Sequence, residues 1–397
     1  MAKLTLNDVE LKGKTVLLRV DFNVPIKEGV ISDDNRIVQA LKSINFVIDA
    51  GAKLILTSHL GRPGGSPDPE FSLKPVADHL ATLVDVPVHF ATDCIGDTRK
   101  EVVDQAKPGE IVLLENVRFH AGEKANDSDF AKQLSEGADL FVNDAFGSSH
   151  RAHASVAGVT EFLQPSVSGF LLEKEIKHLE GSVNNPERPF VAILGGAKVS
   201  DKIGVIENLL GKVDSILIGG GMTYTFYKAK GLPIGDSLVE DDKIDLAKEL
   251  LEKAEATGAN VMLPVDSVVA KEFKNDAEHK VVSEDGIEDG WMALDIGPET
   301  AIAFGNTIKQ AKTIVWNGPM GVFEMSNFAD GTFEVAKALA AATKQGATTI
   351  IGGGDSASAI KVAGLEDDVS HVSTGGGASL EYLEGKELPG VAFLTDK

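Results

Sequence analysis

The sequence predicts two α/β domains, each with a parallel sheet that is covered by helices on both faces. Short runs of apolar and β-branched residues recur along the whole chain and alternate with stretches in which apolar residues repeat every three or four positions. Strands that are apolar throughout are typical of parallel sheets buried on both faces. A chain of 397 residues is long enough for two or three domains of ordinary size.

The first half of the chain contains four predicted strands, at 15–20, 53–57, 111–114 and 140–142. A helix over 33–50 places Ile37, Ile44 and Val47 on one face, with Asp33 or Asp34 as its N-cap. A second helix is predicted over 128–134. The order of these elements is that of a parallel sheet with helical crossovers.

The second half repeats this rhythm after a turn-rich segment at 181–189, which we interpret as a linker that follows a helix over 170–179. Strands are predicted at 190–194, 215–218, 261–263, 313–316 and 348–351, with a short run at 369–374. Helices are predicted at 201–210, 244–257, 299–311 and 332–344.

Composition and charge exclude several classes of protein. The chain has 38 Lys and Arg against 60 Asp and Glu, a net charge of -22. This balance argues against a surface that grips nucleic acid or an anionic membrane. One cysteine, Cys94, excludes an intrachain disulfide and a cluster built on cysteines. No apolar run has the length of a signal peptide core or a membrane span. We therefore expect a reducing, cytoplasmic location.

The residues that follow the first-half strands are cationic or polar. All seven arginines of the chain precede residue 189. Arg62, Arg118 and Arg151 follow predicted strands, His59 and His150 lie beside them, and Arg36 comes early in the first helix. Ligands of open α/β sheets sit beyond the carboxyl ends of the strands, so these groups predict a site for a small, multiply charged anion.

The residues that follow the second-half strands are rich in glycine. Glycine pairs or triplets stand at 195–196, 219–221, 352–354 and 375–377, and Asn317 opens a further Gly-Pro turn. Such loops let backbone N–H groups approach phosphates, and this recurrence indicates a bound nucleotide. Lys198 and Lys202 are predicted on one face of a helix start, where a phosphate would balance them. Asp355 suits a helix N-cap, a Mg²⁺ ligand, or both.

Two other classes of function remain open at this point. A P-loop is absent, and 352–357 fits the relaxed dinucleotide pattern without the βαβ unit and ribose acid that it requires, which disfavours a dehydrogenase. A nucleotide-binding regulatory protein without turnover is the second alternative.

Seven motifs of the sequence resemble phosphoglycerate kinase, in the order of that family. They are Arg19–Pro25, Ser58–Pro63, Asn143–Gly147 with His150 and Arg151, Gly195–Ser200, Trp316–Glu324, Gly352–Asp355 and Ser373–Gly377. The resemblance spans residues 19–377. It implies two Rossmann-like domains joined by a helical hinge, with the active site in the cleft between them. It also implies a reversible phosphoryl transfer in glycolysis and gluconeogenesis, in which 1,3-bisphosphoglycerate and MgADP give 3-phosphoglycerate and MgATP.

The resemblance assigns residues to two ligands and to the transfer. Phosphoglycerate would be bound by Asp21, Phe22, Asn23, Arg36, His59, Leu60, Gly61, Arg62, Arg118 and Arg151. The nucleotide would be bound by Gly195, Lys202, Gly219, Phe273, Leu294, Asn317, Pro319, Glu324, Gly353, Gly354, Asp355 and Ser356, with Glu324 at the ribose, Asp355 on Mg²⁺, and Phe273 and Leu294 at the adenine. Charge on the transferred group would be neutralised by Arg36, Lys198 and the amides of Gly375 and Gly376.

The same resemblance implies the division of the chain. Residues 1–170 would form the phosphoglycerate-binding domain, with a C-terminal stretch at about 378–397 packing back onto it. Residues 171–188 would be the hinge helix and linker, and 189–377 the nucleotide-binding domain. The family expectation is a monomer whose partners are these small molecules, with no nucleic acid and no membrane.

Overall fold

The computed structural model describes residues 2–397, which divide into two compact units. One unit consists of residues 2–176 and Glu387–Lys397, and the other of Lys177–Lys386. Both are α/β units with a six-stranded parallel sheet, so the predicted fold class is confirmed. No helix within the described residues is long and apolar enough to cross a membrane.

The first unit is built on one parallel sheet with the strand order β5-β6-β4-β1-β7-β8 and a separate β2-β3 hairpin. Its strands are β1 (Thr15–Arg19), β2 (Ile26–Lys27), β3 (Val30–Ile31), β4 (Lys53–Thr57), β5 (Val88–Ala91), β6 (Ile111–Leu114), β7 (Leu140–Asn143) and β8 (Ser166–Ser168). Its helices are α1 (Asn35–Asp49), α2 (Lys74–Leu80), α3 (Gly96–Gln105), α4 (Ala121–Ala125) and α5 (Ser128–Ser135).

The apolar runs form the central strands because both sheet faces are covered. Leu18, Leu54 and Leu113 are fully buried in one cluster with Ile37 and Ile44 of α1. The apolar face predicted for the first helix therefore packs on the sheet. Asp34 is the N-cap residue of α1 but makes no side-chain capping hydrogen bond.

Helix α6 (Phe170–Asn184) crosses the division between the units, which falls after Ile176. The predicted end at 179 and the linker from 181 are therefore wrong. Val183 lies one turn beyond Leu179, and both side chains are buried, so the apolar spacing continues through Gly181. The turn signal of a single glycine is outweighed by this burial.

The second unit has the sheet order β11-β10-β9-β15-β16-β17, all parallel, and an antiparallel sheet with the order β13-β12-β14. Its strands are β9 (Phe190–Leu194), β10 (Ser215–Ile218), β11 (Asn260–Met262), β12 (Asp266–Ala270), β13 (His279–Ser283), β14 (Met292–Ile296), β15 (Thr313–Asn317), β16 (Thr348–Gly352) and β17 (His371–Val372). Its helices are α7 (Ile203–Leu210), α8 (Thr223–Ala229), α9 (Ile244–Thr257), α10 (Pro298–Gln310), α11 (Asp330–Lys344), α12 (Gly354–Val362) and α13 (Gly376–Leu383).

The antiparallel sheet departs from the predicted architecture, which contained parallel strands only. Its middle strand is largely buried, but β13 alternates exposed and half-buried residues. The sequence of β13 is short and partly polar, so it cannot be distinguished from a loop by its pattern alone. The sheet matters because β14 supplies one wall of the nucleotide-sized cavity described below.

The C-terminal segment of the first unit begins at Glu387, later than the predicted 378. Residues before it belong to the second unit because α13 packs on α7, where Asn208 donates a hydrogen bond to the Leu383 carbonyl at 2.8 Å. Beyond Glu387, the short helix α14 (Pro389–Ala392) brings the Gly390 carbonyl 2.7 Å from the Asn143 amide at the end of β7.

Candidate active site

The cationic site of the first unit lies at the carboxyl ends of four adjacent strands, β6, β4, β1 and β7. Arg36 connects the loop after β1 to α1: its Nη1 donates to Asp21 Oδ1 at 3.1 Å and to the Asn23 carbonyl at 3.2 Å. Asn23 Oδ1 in turn accepts a hydrogen bond from the Gly61 amide at 2.8 Å. The loops after β1 and β4 are therefore joined by the residues predicted to bind the acid.

Arg118 is the most deeply placed of the predicted arginines. It is buried in a turn after β6, and its Nη1 donates to the Gly61 carbonyl at 2.8 Å. Its Nε is buried without a partner. Burial, followed by the fields of Arg19 and Arg151, lowers the pKa of Arg118 to about 10. Removal from water and crowding by like charges both disfavour the cation, so a bound anion would relieve an existing electrostatic penalty.

His59 is neutral in this site. Burial and then the neighbouring guanidinium of Arg19 hold the pKa of His59 well below its usual range. Arg19 Nη2 lies 3.1 Å from His59 Nδ1, and a guanidinium can only donate, so Nδ1 accepts. The ring hydrogen of His59 is therefore on Nε2. This arrangement suits a hydrogen-bond donor to an anion and provides no general base.

Sequence reasoning missed the layer that supports these groups. Arg19, the last residue of β1, is 1% exposed and donates from Nε to Ser155 Oγ at 2.8 Å. Ser155 donates to Glu123 Oε1 at 2.7 Å, and the Glu123 carboxylate is fully buried. The field of Glu123 raises the pKa of Arg19, although burial lowers it more. The sequence did contain a signal for Arg19, because this charged residue ends an apolar strand. No sequence feature indicates that Glu123 is buried beside it.

The remaining predicted residues of this site have different surroundings. Arg62 and Arg151 are exposed, and Arg151 Nε donates to His150 Nε2 at 3.0 Å. His153, which was not predicted, lies in the fields of Arg118 and Arg151, and burial followed by these fields lowers its pKa to about 4. Phe22 and Leu60 belong to the apolar core. Their side chains support the loops, and only their backbone could face a ligand.

In the second unit, the predicted glycines divide into two groups. A Cβ on Gly195 would collide with the Pro319 carbonyl, and one on Gly219 would collide with the Met320 side chain. These two glycines let neighbouring loops pack on each other and do not present amides to a ligand. A Cβ on Gly354, in contrast, would meet no atom within 4 Å. Open space therefore borders the backbone where α12 begins.

A cavity of about 520 Å³ opens beside these loops. Five predicted nucleotide-binding residues line it: Phe273, Leu294, Pro319, Glu324 and Asp355. Sequence reasoning missed other wall residues, among them Tyr224, Leu238, Met292 and Val322. They lie on helix α8, on loops and on the antiparallel sheet, away from the glycine motifs. Apolar walls with carboxylates among the lining residues suit an aromatic base with an attached sugar.

One end of this site is formed by helix N-termini and an unpaired amide. Gly353 has φ +89°, and a Cβ on Gly376 would lie 3.0 Å from the Gly354 amide nitrogen, so α12 and α13 begin side by side. Asn317 Nδ2 is buried without a partner next to Gly353. Free amides and two helix N-termini favour negative charge. Ser356 points elsewhere, because its Oγ accepts a hydrogen bond from the Gly318 amide at 2.6 Å.

The two predicted lysines do not share a helix face, and that prediction is wrong. Helix α7 begins only at Ile203, which places Lys198 in the preceding loop and Lys202 at the N-cap. Lys198 is exposed. Lys202 Nζ donates to Asn317 Oδ1, and burial lowers the pKa of this lysine. A cation thus stands next to the helix N-termini of α12 and α13, as expected for a phosphate site.

The cavity residues include one carboxyl that holds its proton. Asp295 of β14 is 2% exposed, and burial raises its pKa to about 8. Its oxygens accept hydrogen bonds from the Gly331 amide at 2.8 Å and the Ile296 amide at 2.9 Å. The exposed Asp355, in the first turn of α12, is chemically different: its free carboxylate fits the preference of Mg²⁺ for oxygen ligands.

The fold and these two regions define a class: a two-unit α/β protein with a cluster of arginines at the strand ends of one unit and a largely apolar cavity beside glycine-rich loops in the other. The chain belongs to the phosphoglycerate kinase family, whose family model matches residues 6–386. It is a phosphotransferase, and the family reaction is the glycolytic transfer between 1,3-bisphosphoglycerate and ADP. This membership excludes the dehydrogenase.

Known relatives cover the whole chain. It is 60% identical over 396 residues to a phosphoglycerate kinase of Chloroherpeton thalassium, with 100% of both chains covered. It is 58% identical to one of Thermosipho africanus, covering 100% of this chain and 99% of the other. The solved phosphoglycerate kinase of Coxiella burnetii matches with a TM-score of 0.89 and 42% identity, covering 99% and 98% of the two chains.

Proposed function

We propose that the first unit of this chain binds the three-carbon acid, that the second binds MgATP or MgADP, and that a phosphoryl group passes directly between the two ligands. One observation carries the proposal: the two units hold different kinds of anion site. Buried guanidinium groups converge in the first unit, whereas an apolar cavity ends at helix N-termini in the second. This division matches a small, rigid acid on one side and a nucleotide on the other.

The acid would be bound by the side chains of Asp21, Asn23, Arg36, His59, Arg62, Arg118 and Arg151, with Phe22, Leu60 and Gly61 contributing backbone. Arg118 supports this assignment because its unpaired Nε and lowered pKa indicate a missing anion. His59 would donate from Nε2. Arg19 and Glu123 would act as positioning residues, since they hold His59 and Ser155 in place.

The nucleotide would occupy the cavity, with Phe273 and Leu294 at the adenine, Pro319 beside it and Glu324 at the ribose. Its phosphates would meet Lys202, Asn317, Gly353 and Gly354 at the helix N-termini. Gly195, Gly219 and Ser356 would shape this loop cluster. Asp355 would hold Mg²⁺, which would neutralise charge on the phosphates.

Direct transfer requires little of the protein beyond position and charge. The acceptor carboxylate is already ionised near pH 7, so the reaction needs no general base and no protein nucleophile. Arg36, Lys198 and the amides of Gly375 and Gly376 would stabilise the charge on the transferred oxygens. Because the two ligands bind to different units, we infer a hinge closure that excludes water before transfer.

Ligand binding to single-site variants tests the division of roles. We expect Arg118→Ala to weaken 3-phosphoglycerate binding and leave MgADP binding unchanged, and Asp355→Asn to do the reverse. Arg188→Ala is the matched control, because this exposed arginine pairs with Asp214 at 2.7 Å away from both sites. Calorimetric titration measures both ligands, and ATP consumption with and without 3-phosphoglycerate measures turnover. Equal losses for both ligands in either variant would contradict the proposal.

The remaining expectations about partners belong to the same proposal. The acidic composition supports small anions as partners and disfavours nucleic acid. We infer a monomer, which light scattering at micromolar concentration tests. The single buried thiol, Cys94, suits a reducing cytoplasm.

A further inference from the structure

Three side chains with metal-binding atoms meet beyond the ends of β5 and β6. Asp93 and Cys94 lie in the loop between β5 and α3, and His120 directly follows the turn after β6. One carboxylate oxygen, the thiol sulfur and one ring nitrogen all lie within 4.8 Å of one another. These strands are neighbours in the sheet, so the residues meet although they are distant in sequence.

The cluster combines a buried thiol with two accessible groups. Cys94 is fully buried, whereas the side chains of Asp93 and His120 are 43% and 30% exposed. His120 Nε2 lies 2.7 Å from Asp93 Oδ1, and this oxygen also accepts the Cys94 amide at 2.7 Å. The loop thus aims the carboxylate and the imidazole at each other within 4.8 Å of the thiol sulfur.

We propose that Asp93, Cys94 and His120 form a binding site for one zinc-class divalent metal ion, with water as the fourth ligand. Zinc bonds of about 2.0–2.3 Å place tetrahedral ligands about 3.3–3.8 Å from one another. Reaching this geometry requires the Asp93–His120 pair to open and His120 or Asp93 to approach the sulfur. Both side chains are part-exposed, so rotation about their χ angles can supply these shifts.

The donor set selects the metal. Thiolate and imidazole favour zinc and its neighbours in the transition series, whereas Mg²⁺ takes oxygen ligands and would remain at the nucleotide site. On binding, the Cys94 Sγ–H bond breaks, an Sγ–metal bond forms, and the proton passes to the buffer. The His120 Nε2–H bond, which points at the Asp93 carboxylate, also breaks; the ring takes the tautomer with its hydrogen on Nδ1, and the freed Nε2 lone pair binds the metal. A mixed site of this kind needs only one cysteine, which is all that the chain has.

The site is separate from the proposed phosphoryl-transfer site, although it lies close to it in sequence. His120 is two residues from Arg118, and none of the three ligands is assigned to substrate or nucleotide. The proposal therefore does not rest on the proposed function. Its test uses the full chain with Co²⁺ alone, in the absence of nucleotide and phosphoglycerate.

Titration with Co²⁺ should give one equivalent of bound metal and a near-ultraviolet thiolate-to-cobalt absorption band. Zn²⁺ should abolish the band and Mg²⁺ should not. Cys94→Ala should remove the band, and His120→Gln should raise the Kd for Co²⁺ at least tenfold. His89→Gln is the matched control, because His89 also pairs with a carboxylate, Glu110, at 2.9 Å but has no thiol beside it.

A missing band, or a Kd that His120→Gln leaves unchanged, would overturn the site. Because Cys94 is buried, far-ultraviolet circular dichroism must show that Cys94→Ala is folded. His120→Gln provides an independent test, because the His120 side chain is part-exposed and its replacement should not disturb the fold. Asp355→Asn should keep the band and lose MgADP binding. In the wild-type protein, an absence of 3-phosphoglycerate-dependent turnover with the band present would refute only the proposed function.

Discussion

The two units offer different physical means of holding negative charge. In the first unit, the groups are side-chain cations, of which Arg19 and Arg118 are buried and depend on a buried carboxylate, Glu123, and neighbouring hydroxyls. In the second unit, the groups are backbone amides at the starts of α12 and α13, an unpaired Asn317 amide and a part-buried Lys202. All arginines of the chain precede residue 189, so the two units also differ in their arginine content.

This difference indicates which kind of substitution should damage each unit. Buried guanidinium groups recognise a small anion with fixed geometry, but they must be compensated inside the protein before the ligand arrives. Amides at helix N-termini bring no buried charge, but they require bare backbone and close packing of loops. We therefore expect charge changes to damage the first unit and shape changes to damage the second.

The largest expected effect concerns the groups at the transferred phosphoryl. Arg36→Ala and Lys198→Ala should each lower kcat about 10²–10³-fold, because each removes one charge-stabilising donor. Both side chains are at least partly exposed, so the fold should be unchanged. Saturating steady-state assays measure the effect. Lys253→Ala, which removes an exposed lysine paired with Glu207 at 2.6 Å, should keep wild-type kcat. Near-full kcat in either test variant would refute that residue's role.

The next effect concerns the compensation of buried charge in the first unit. Glu123→Gln should lower the free energy of unfolding by about 3 kcal/mol, because it leaves the buried Arg19 cation without its carboxylate. Urea unfolding at pH 7 measures the change. Glu207→Gln, which breaks only the exposed pair with Lys253, should change stability by less than about 1 kcal/mol. Similar small losses in both variants would show that Glu123 does not compensate Arg19.

Two glycine substitutions test shape in the second unit. Gly354→Ala should raise the Kd for MgADP about tenfold, because the methyl group occupies the space in front of a charge-assisted amide donor. Its unfolding free energy should stay unchanged, since no atom lies within 4 Å of the new Cβ. Gly195→Ala should instead lower stability by about 1–3 kcal/mol, because its Cβ collides with the Pro319 carbonyl. Unchanged nucleotide affinity in Gly354→Ala would place the phosphates elsewhere.

The last expected effect, which is the smallest when counted over a single pH unit, is a pH dependence that belongs to the second unit. Asp295 has a folded pKa of about 8 against an ordinary 3.8, so the folded state holds one more proton between these values. The contribution of Asp295 to the free energy of unfolding should therefore fall as pH rises from about 4 to about 8, by at most about 1.4 kcal/mol per pH unit.

Asp295→Asn cannot titrate, so it should lack this contribution whatever its absolute stability. Urea unfolding of both proteins at several pH values measures the difference in slope. Asp289→Asn, at an exposed position, should keep the wild-type slope. Parallel slopes for wild type and Asp295→Asn would show that the buried carboxyl ionises normally.

The strands and their tips could be predicted because one local signal determines them. A short apolar run between turn residues, such as 190–194, favours a buried strand, and the residues that follow such strands then share one sheet edge. The residues that support the cationic site of the first unit could not be predicted in this way. Glu123 is linked to Arg19 through Ser155, which lies 136 residues from Arg19 in the sequence, and no periodicity relates them. The other wall residues of the cavity, such as Tyr224 and Met292, were missed for the same reason.

The sequence by itself determined the fold class, the order of the main parallel strands along the chain and the residue types that follow each of them. These depend on side-chain period and residue type, which are local properties. Only the tertiary structure decided which glycines face open space, that Lys198 precedes the helix, that His59 is neutral, and that Asp295 keeps its proton. Such properties depend on which atoms exclude water from a group, and only the packed chain brings those atoms together.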